Sequence, residues 1–379
     1  MLRRLTVGLG LIAVAITIAA CSSNDINPIS VGPTFKTASL YATNASQNAV
    51  SIYPAGTKSG SGPQYQIGGS STTIAGPQYL AFDTLSDLYI SNYSQTSGAA
   101  AIVELKALAT GNVIPLNRTI AGVTQPRGLA LFTTGYPDPL LAVANINPSA
   151  GAGLTSQLVI YDAVTLGVIE TLAGPLTGLN GPTGVASDSS NILYIANLQG
   201  ASVEGFNIAP SPSPSPSGSP VPTPTPTATP TVNPSASPTA TPTAVPTFVP
   251  VDLAPTFTIS GSQTGLVAPV GVSVDSAKSI YVADQGNPGA GMPPAIRVYA
   301  ANPSGASNVA PIRTIVGSAT LLNAPNDVKI DASGLIYVSD STPAGGGVIN
   351  VYPANANGNV APVTTYTSPG AVIGIALVP

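Results

Sequence analysis

PVGVSVD (269–275), IYVAD (280–284), IRVY (296–299) and RTI (313–315) are four short runs in which apolar, mostly β-branched residues alternate with others. Gly, Pro, Asn and Asp bound them. Alternation with a period of two places one set of side chains on each face of an extended chain, so all four runs read as strands. The phrase returns along the chain. Its first part recurs as PQYLAFD (77–83), PRGLALF (126–132), PTGVASD (182–188) and PNDVKID (325–331). The second recurs as LYISN (88–92), LAVAN (141–145), LYIAN (193–197) and IYVSD (336–340). AIVEL (101–105), LVIYD (158–162), SVEGF (202–206) and INVY (349–352) repeat the third part, and RTI (118–120), ETL (170–172), FTI (257–259) and TTY (364–366) the fourth.

The two ends hold complementary fragments. LYATN (40–44), VSIY (50–53) and YQI (65–67) are a second, third and fourth part with no first, whereas IGIAL (373–377) is a first part with nothing after it. Joining them predicts an all-β, six-bladed β-propeller with four antiparallel strands per blade. Its C-terminal strand completes the N-terminal blade, which removes the sheet edges that invite aggregation. The second strands end at Asn44, Asn92, Asn145, Asn197, Asp284 and Asp340. One interval, Asn197 to Asp284, is 87 residues against 48–56 for the rest, so one blade carries an insertion. Composition locates it at 210–250, where Pro, Ser and Thr dominate and 14 of the 39 prolines fall. A segment so poor in apolar residues is expected to be disordered, extended polyproline II inside that blade.

Arg3 and Arg4 precede an uncharged run, Leu5 to Ala20, and then Cys21. A basic start, a short apolar stretch and small residues at its end read as a secretory signal. Ile18-Ala19-Ala20-Cys21 resembles the bacterial lipobox, whose Cys is acylated and becomes the new N-terminus. The resemblance implies a signal peptide over 1–20, lipidation at Cys21, a tether over 21–38 and attachment to the outer face of a bacterial membrane or to the outer membrane. The propeller then occupies 39–379.

Only 26 of 379 residues are charged, 11 Lys+Arg and 15 Asp+Glu, with no His, no Trp and one Cys. So few cations argue against a nucleic-acid surface. Without His the chain lacks the commonest general base, and one Cys excludes an internal disulfide or a thiolate metal site.

The repeat P-x-G-V-A-V-D, I-Y-V-A-D, I-x-V-Y, R-T-I-x-G resembles NHL-type repeats and related six-bladed propellers. That resemblance implies either a binding module or an enzyme, because lyases and lactonases share the shape. The residues favour binding. Lyases of this group depend on His, and the three Glu (Glu104, Glu170, Glu204) fall on or beside outer strands rather than at a channel mouth where Ca²⁺ would need six to eight oxygens. The reading is a lipid-anchored binding or scaffold module, monomeric, without cofactor, its partner a protein, a glycan or a small ligand. A metal-assisted lactonase or hydrolase is the alternative.

Departures from the repeat mark candidate site residues. After the Pro of each first strand stand Gln78, Arg127, Thr183, Val270 and Asn326, of which Arg127 is the one cation. Three residues after them come Ala81, Ala130, Ala186 and Ser273, with Ala376 in the last unit, but Lys329 in the sixth blade. Asp327 there replaces the usual Gly. Period two sets Asp327, Lys329 and Asp331 on one face, with Asp331 in the position of the repeat's structural Asp. Gln78, Arg127, Thr183, Asn326 and Asp327, with Lys329 deeper, are the expected ligand contacts at the channel mouth. The Asn or Asp ending each second strand is expected to hold the turn that follows it.

Overall fold

The computed structural model describes residues 39–378 apart from 55–56, 94–99, 120–121, 134–137, 152, 209–249 and 302. The expected signal segment 1–20, Cys21, the expected tether 21–38 and almost all of the Pro-rich 210–250 lie outside the described residues.

Six sheets form the six blades. Blade 2 shows the pattern: Pro77–Phe82, Leu88–Asn92, Ala101–Leu105 and Asn117–Thr119 pair antiparallel in chain order from the axis outward. Blades 3 to 6 begin at Pro126–Phe132, Pro182–Ser187, Pro269–Val274 and Pro325–Ile330. The first blade closes as the end fragments require. Ile375–Leu377 pairs antiparallel with Leu40–Asn44, which continues into Ala49–Tyr53 and Tyr65–Gly68.

Apolar residues on both faces of the middle strands pack one blade onto the next. Leu80, Leu88, Ile90 and Val103 of blade 2 meet Val50, Ile52 and Ile67 of blade 1 in one buried cluster. Tyr89, Ile102, Leu141, Val143 and Val159 join blades 2 and 3 in another. Tyrosines in the second strands add a polar tie: Tyr194, Tyr281 and Tyr337 each donate a hydroxyl to the Asp that closes the first turn of their own blade, Asp188, Asp275 and Asp331.

The outer edges are covered by neighbouring loops. Gly305–Ser307 of blade 5 adds a fifth, parallel strand to Phe257–Ile259 of blade 4. Shorter parallel bridges join Ile67 to Gly111, Leu172 to Val251 and Ile315 to Gly358. Between blades 6 and 1, Gly60 N–H reaches Thr365 O and Thr367 N–H reaches Ser61 O. One Asx side chain locks each of four such loops: Asn112, Asp252, Asn308 and Asn359 accept the N–H of Ser71, Leu176, Gln263 and Ala319 at 2.7–2.8 Å. Each edge strand so treated spends its free backbone groups within the molecule.

Candidate functional site: a blind axial cavity

The first strands converge on the axis at their glycines. A Cβ on Gly128 would stand 2.3 Å from Thr183 O, one on Gly184 2.7 Å from Val270 O and one on Gly374 2.5 Å from Tyr79 Cα. Only hydrogen fits where neighbouring strands approach so closely. Two of the six positions are not Gly. Asp327 is one. Tyr79 is the other, and its hydroxyl crosses from blade 2 to donate to Val270 O at 3.1 Å and Asn326 O at 3.4 Å in blades 5 and 6. The ladder register breaks between Pro269 and Gly271 and between Pro325 and Asp327, so these two carbonyls fall at gaps in the pairing. Tyr79 therefore spans the axis at the Pro-x-Gly end. Burial pushes its hydroxyl well above the usual tyrosine range; the Asp327 carboxylate adds to this and the Arg127 guanidinium opposes it.

Beyond the glycines the axis widens into a cavity of about 260 Å³ to which all six first strands contribute. Ala81, Ala130, Ala186, Ser273 and Ala376 line one level of it, with Lys329 as the sixth member. Register explains the level: each of these residues pairs with an equivalent second-strand position, Tyr89, Ala142, Tyr194, Tyr281, Tyr41 and, for Lys329, Tyr337. The cavity opens at the opposite end, among the first-to-second strand turns. There it runs into a side pocket of about 320 Å³ that shares Phe82, Leu131 and Ser187 with it and adds Phe132 and Pro139. Asp83 and Asp188 stand on that side, Asp275 and Asp331 on the side toward blades 5 and 6.

Lys329 is the cavity's one charged side chain among the described residues. Its Nζ lies 2.8 and 2.9 Å from the two oxygens of Asp327, which is fully buried. Asp327 also accepts the backbone N–H of Val328 and of Ile375. Burial raises its carboxyl above the ordinary Asp range, while Lys329 and the two N–H donors pull it back. Asp331 does not share the ammonium. It accepts the N–H of Ser333 and Leu335 and closes its own turn, so among the described residues Asp327 alone partners Lys329.

The six candidate residues do not share one mouth. Lys329 faces the cavity. Thr183 is buried, its hydroxyl donating to Ala196 O and lying 3.4 Å from Pro269 O. Asn326 is committed on both sides of its amide: it donates to Ser341 Oγ and Val372 O and accepts from Gln285. Gln78 donates to Gly76 O. Arg127, half-buried, makes no hydrogen bond or ion pair with another described residue. Gln78, Arg127 and Asn326 thus belong to the narrow end, behind Tyr79.

The Asx residues that end the second strands are structural, but most of them hold the loop before their blade's first strand rather than the turn that follows; Asp284 does both, accepting the N–H of Gly286 as well. Asn92, Asn145, Asn197, Asp284 and Asp340 accept N–H groups of the loop leading into their own first strand, as Asn145 does from Thr124 and Gln125 at 2.9 and 3.0 Å. Asn44, preceding its own short 3-10 turn, accepts from Gln47 N–H and follows the expected pattern. Arg297 pairs with Asp284 at 2.8 Å in blade 5. Glu204 is buried among Ser202, Asn197 and Thr258, and burial raises its carboxyl. Among the described residues no group of three or more Cys, Asp and Glu stands close enough to hold a metal ion.

No family model matches the chain, and no curated protein matches it. Solved structures do. A Bacteroides caccae protein of unknown function aligns with a TM-score of 0.55 at 9% identity, over 90% of this chain and 99% of that one. A Bacteroides fragilis protein provisionally named a 6-phosphogluconolactonase gives 0.48 at 13% identity over 88% and 82%. The Staphylococcus aureus virginiamycin B lyase gives 0.44 at 12% identity over 84% of each chain. At these identities the likeness is one of fold.

Proposed function

We propose that this protein is a non-enzymatic binding module of the bacterial cell envelope, anchored by lipid on Cys21, that takes a small ligand into its axial cavity. The observation that carries the reading is the cavity itself. It lies beyond the point where Tyr79 crosses the axis, draws on all six first strands, adjoins an apolar side pocket and carries one cation, Lys329, on a wall whose exposed surface is more polar than apolar. Small-molecule sites combine a largely preformed concavity, an apolar lining and a few polar groups that fix orientation; here the side pocket supplies the apolar lining and the axial cavity the polar groups. The rigid ring of blades supports it, because every lining residue sits on an inner strand or its turn rather than on a long loop. The Arg-Arg start and Ile-Ala-Ala-Cys support the envelope address.

Native mass spectrometry after exposure to envelope extract tests the binding reading. Wild type should retain a small-molecule adduct that Ala186→Phe, which fills the cavity, does not. Equal adducts on both proteins overturn it. Metabolic labelling with a fatty acid tests the anchor, and label persisting in Cys21→Ser overturns that part.

A further inference from the structure

The ligand's chemistry follows from what lines the two ends of the cavity, an inference that rests on the binding reading above. An ammonium has three N–H donors. Lys329 directs two contacts to Asp327, at 2.8 and 2.9 Å, and its side chain keeps 24% of its surface exposed. A donor is left for the cavity. Ser273 Oγ, on the neighbouring inner strand, makes no hydrogen bond with another described residue and lines the same level. Both groups can donate, and Asp327, the nearby acceptor, is already saturated by Lys329, Val328 and Ile375. The deep end therefore calls for a hydrogen-bond acceptor on the ligand.

A carboxylate would be one such acceptor, but two features oppose it. The Lys329–Asp327 pair carries no net charge, so its pull on an anion is that of a dipole rather than of a free ammonium. The opening is acidic: Asp83, Asp188, Asp275 and Asp331 stand around it, and among the described residues only Asp188 of these four has a cation, Lys278, at 3.3 Å. An anion would have to pass like charges held buried or half-buried in their own turns, where solvent screens them incompletely. The middle of the path, Phe82, Leu131, Phe132 and Pro139, is apolar. We infer that the cavity selects an uncharged carbonyl compound, with its C=O on Lys329 Nζ and Ser273 Oγ and an apolar body along the side pocket, and discriminates against the corresponding carboxylate.

A matched pair sharing one body tests this: 4-phenylbutanamide against 4-phenylbutanoate, titrated by NMR or calorimetry at pH 7.5 into the full chain. The amide should bind at least tenfold more tightly than the acid, with the gap narrowing at 0.5 M salt. Ser273→Ala should weaken the amide several-fold. Asp327→Asn/Lys329→Gln, which removes both charges together and keeps an acceptor for Ile375 N–H, should weaken it about tenfold. Equal or tighter binding of the acid, or no saturable binding of either compound, overturns the assigned class. If both variants bind the amide like wild type while Ala186→Phe does not, the class is wrong and the cavity reading survives. Amide binding that Ala186→Phe leaves intact overturns both.

Discussion

Asp327 Oδ2 accepts the backbone N–H of Ile375 at 3.1 Å, so a side chain of the sixth blade grips the strand that completes the first. Asn326 Nδ2 holds Val372 O and Ser339 Oγ holds Ile373 O on the same stretch. Thr43 Oγ1 receives the N–H of Ile373 and Gly374 from the other side. The closing strand is only three residues long, Ile375–Leu377, and these side chains supply what its short ladder lacks.

Removing that grip should loosen the first blade. Asp327→Ala strands the ammonium of Lys329 and two backbone donors, and breaking a buried pair costs about 3 kcal/mol or more. Deleting 373–379 should cost more still, since it also uncovers the edge of Leu40–Asn44. Thermal melts with hydrogen exchange over 40–53 check this. A truncated protein that melts like the full chain would show that the ring closes without its last strand.

Asp340 makes stability depend on pH. Burial pushes its carboxyl from 3.8 up to about 6, against the pull of N–H donors from Asn323, Ala324 and Ser341. The folded value lies above the unfolded one, so this contribution is full below about pH 4 and is lost as pH rises through about 6, a change on the order of 3 kcal/mol. Asn145 does the same work in blade 3 with no charge. Asp340→Asn should therefore match wild type near pH 4 and exceed it at pH 8 by about 1–3 kcal/mol in denaturant melts. The same change at Asp284 should destabilise, because Arg297 would lose its partner.

Blade number, strand order and closure are legible in the sequence because period-2 alternation and the repeat report on the same faces. The ring of Ala81, Ala130, Ala186, Ser273, Ala376 and Lys329 is legible for the same reason. What escapes is side-chain reach across the axis. Tyr79 occupies a Gly position, as Asp327 does, and that departure is its only signal in the sequence. Nothing in the repeat tells which end of the channel stays open once a phenol crosses it. Gly305–Ser307 escapes too, since Gly-Ala-Ser carries no strand pattern and is held by its neighbour, Phe257–Ile259. A spaced Gly-x-x-Thr is present but easily passed over: Thr72, Thr177, Thr264 and Thr320 each donate to the Gly three residues before and fix the loop into a first strand.

Adjacent residues at the narrow end should behave oppositely. Gly128→Ala places a Cβ 2.3 Å from Thr183 O, where backbone must move, and overpacking of this kind costs about 1–3 kcal/mol. Arg127→Ala removes a side chain that makes no hydrogen bond or ion pair with another described residue and should leave stability within about 0.5 kcal/mol. Equal melting of the two variants would show that the strands can part at the axis.

Tyr79 gives the sharpest test of the closed axis. Tyr79→Phe keeps the ring and deletes the hydroxyl, leaving Val270 O and Asn326 O, which the register breaks set at gaps in their ladders, without that donor. An unmade buried hydrogen bond of this kind costs about 1–3 kcal/mol. Tyr79→Ala removes the plug itself, and large aromatic-to-Ala changes in cores cost about 3–5 kcal/mol. Beyond stability, the Ala variant should join the cavity to the opposite face, so amide exchange of Val270, Asp327 and Ile375 should rise while that of outer strands such as Phe257–Ile259 stays unchanged. The Phe variant should show the smaller stability loss and no such local rise. If Tyr79→Ala exchanges and melts like wild type, the axis is not sealed by this side chain.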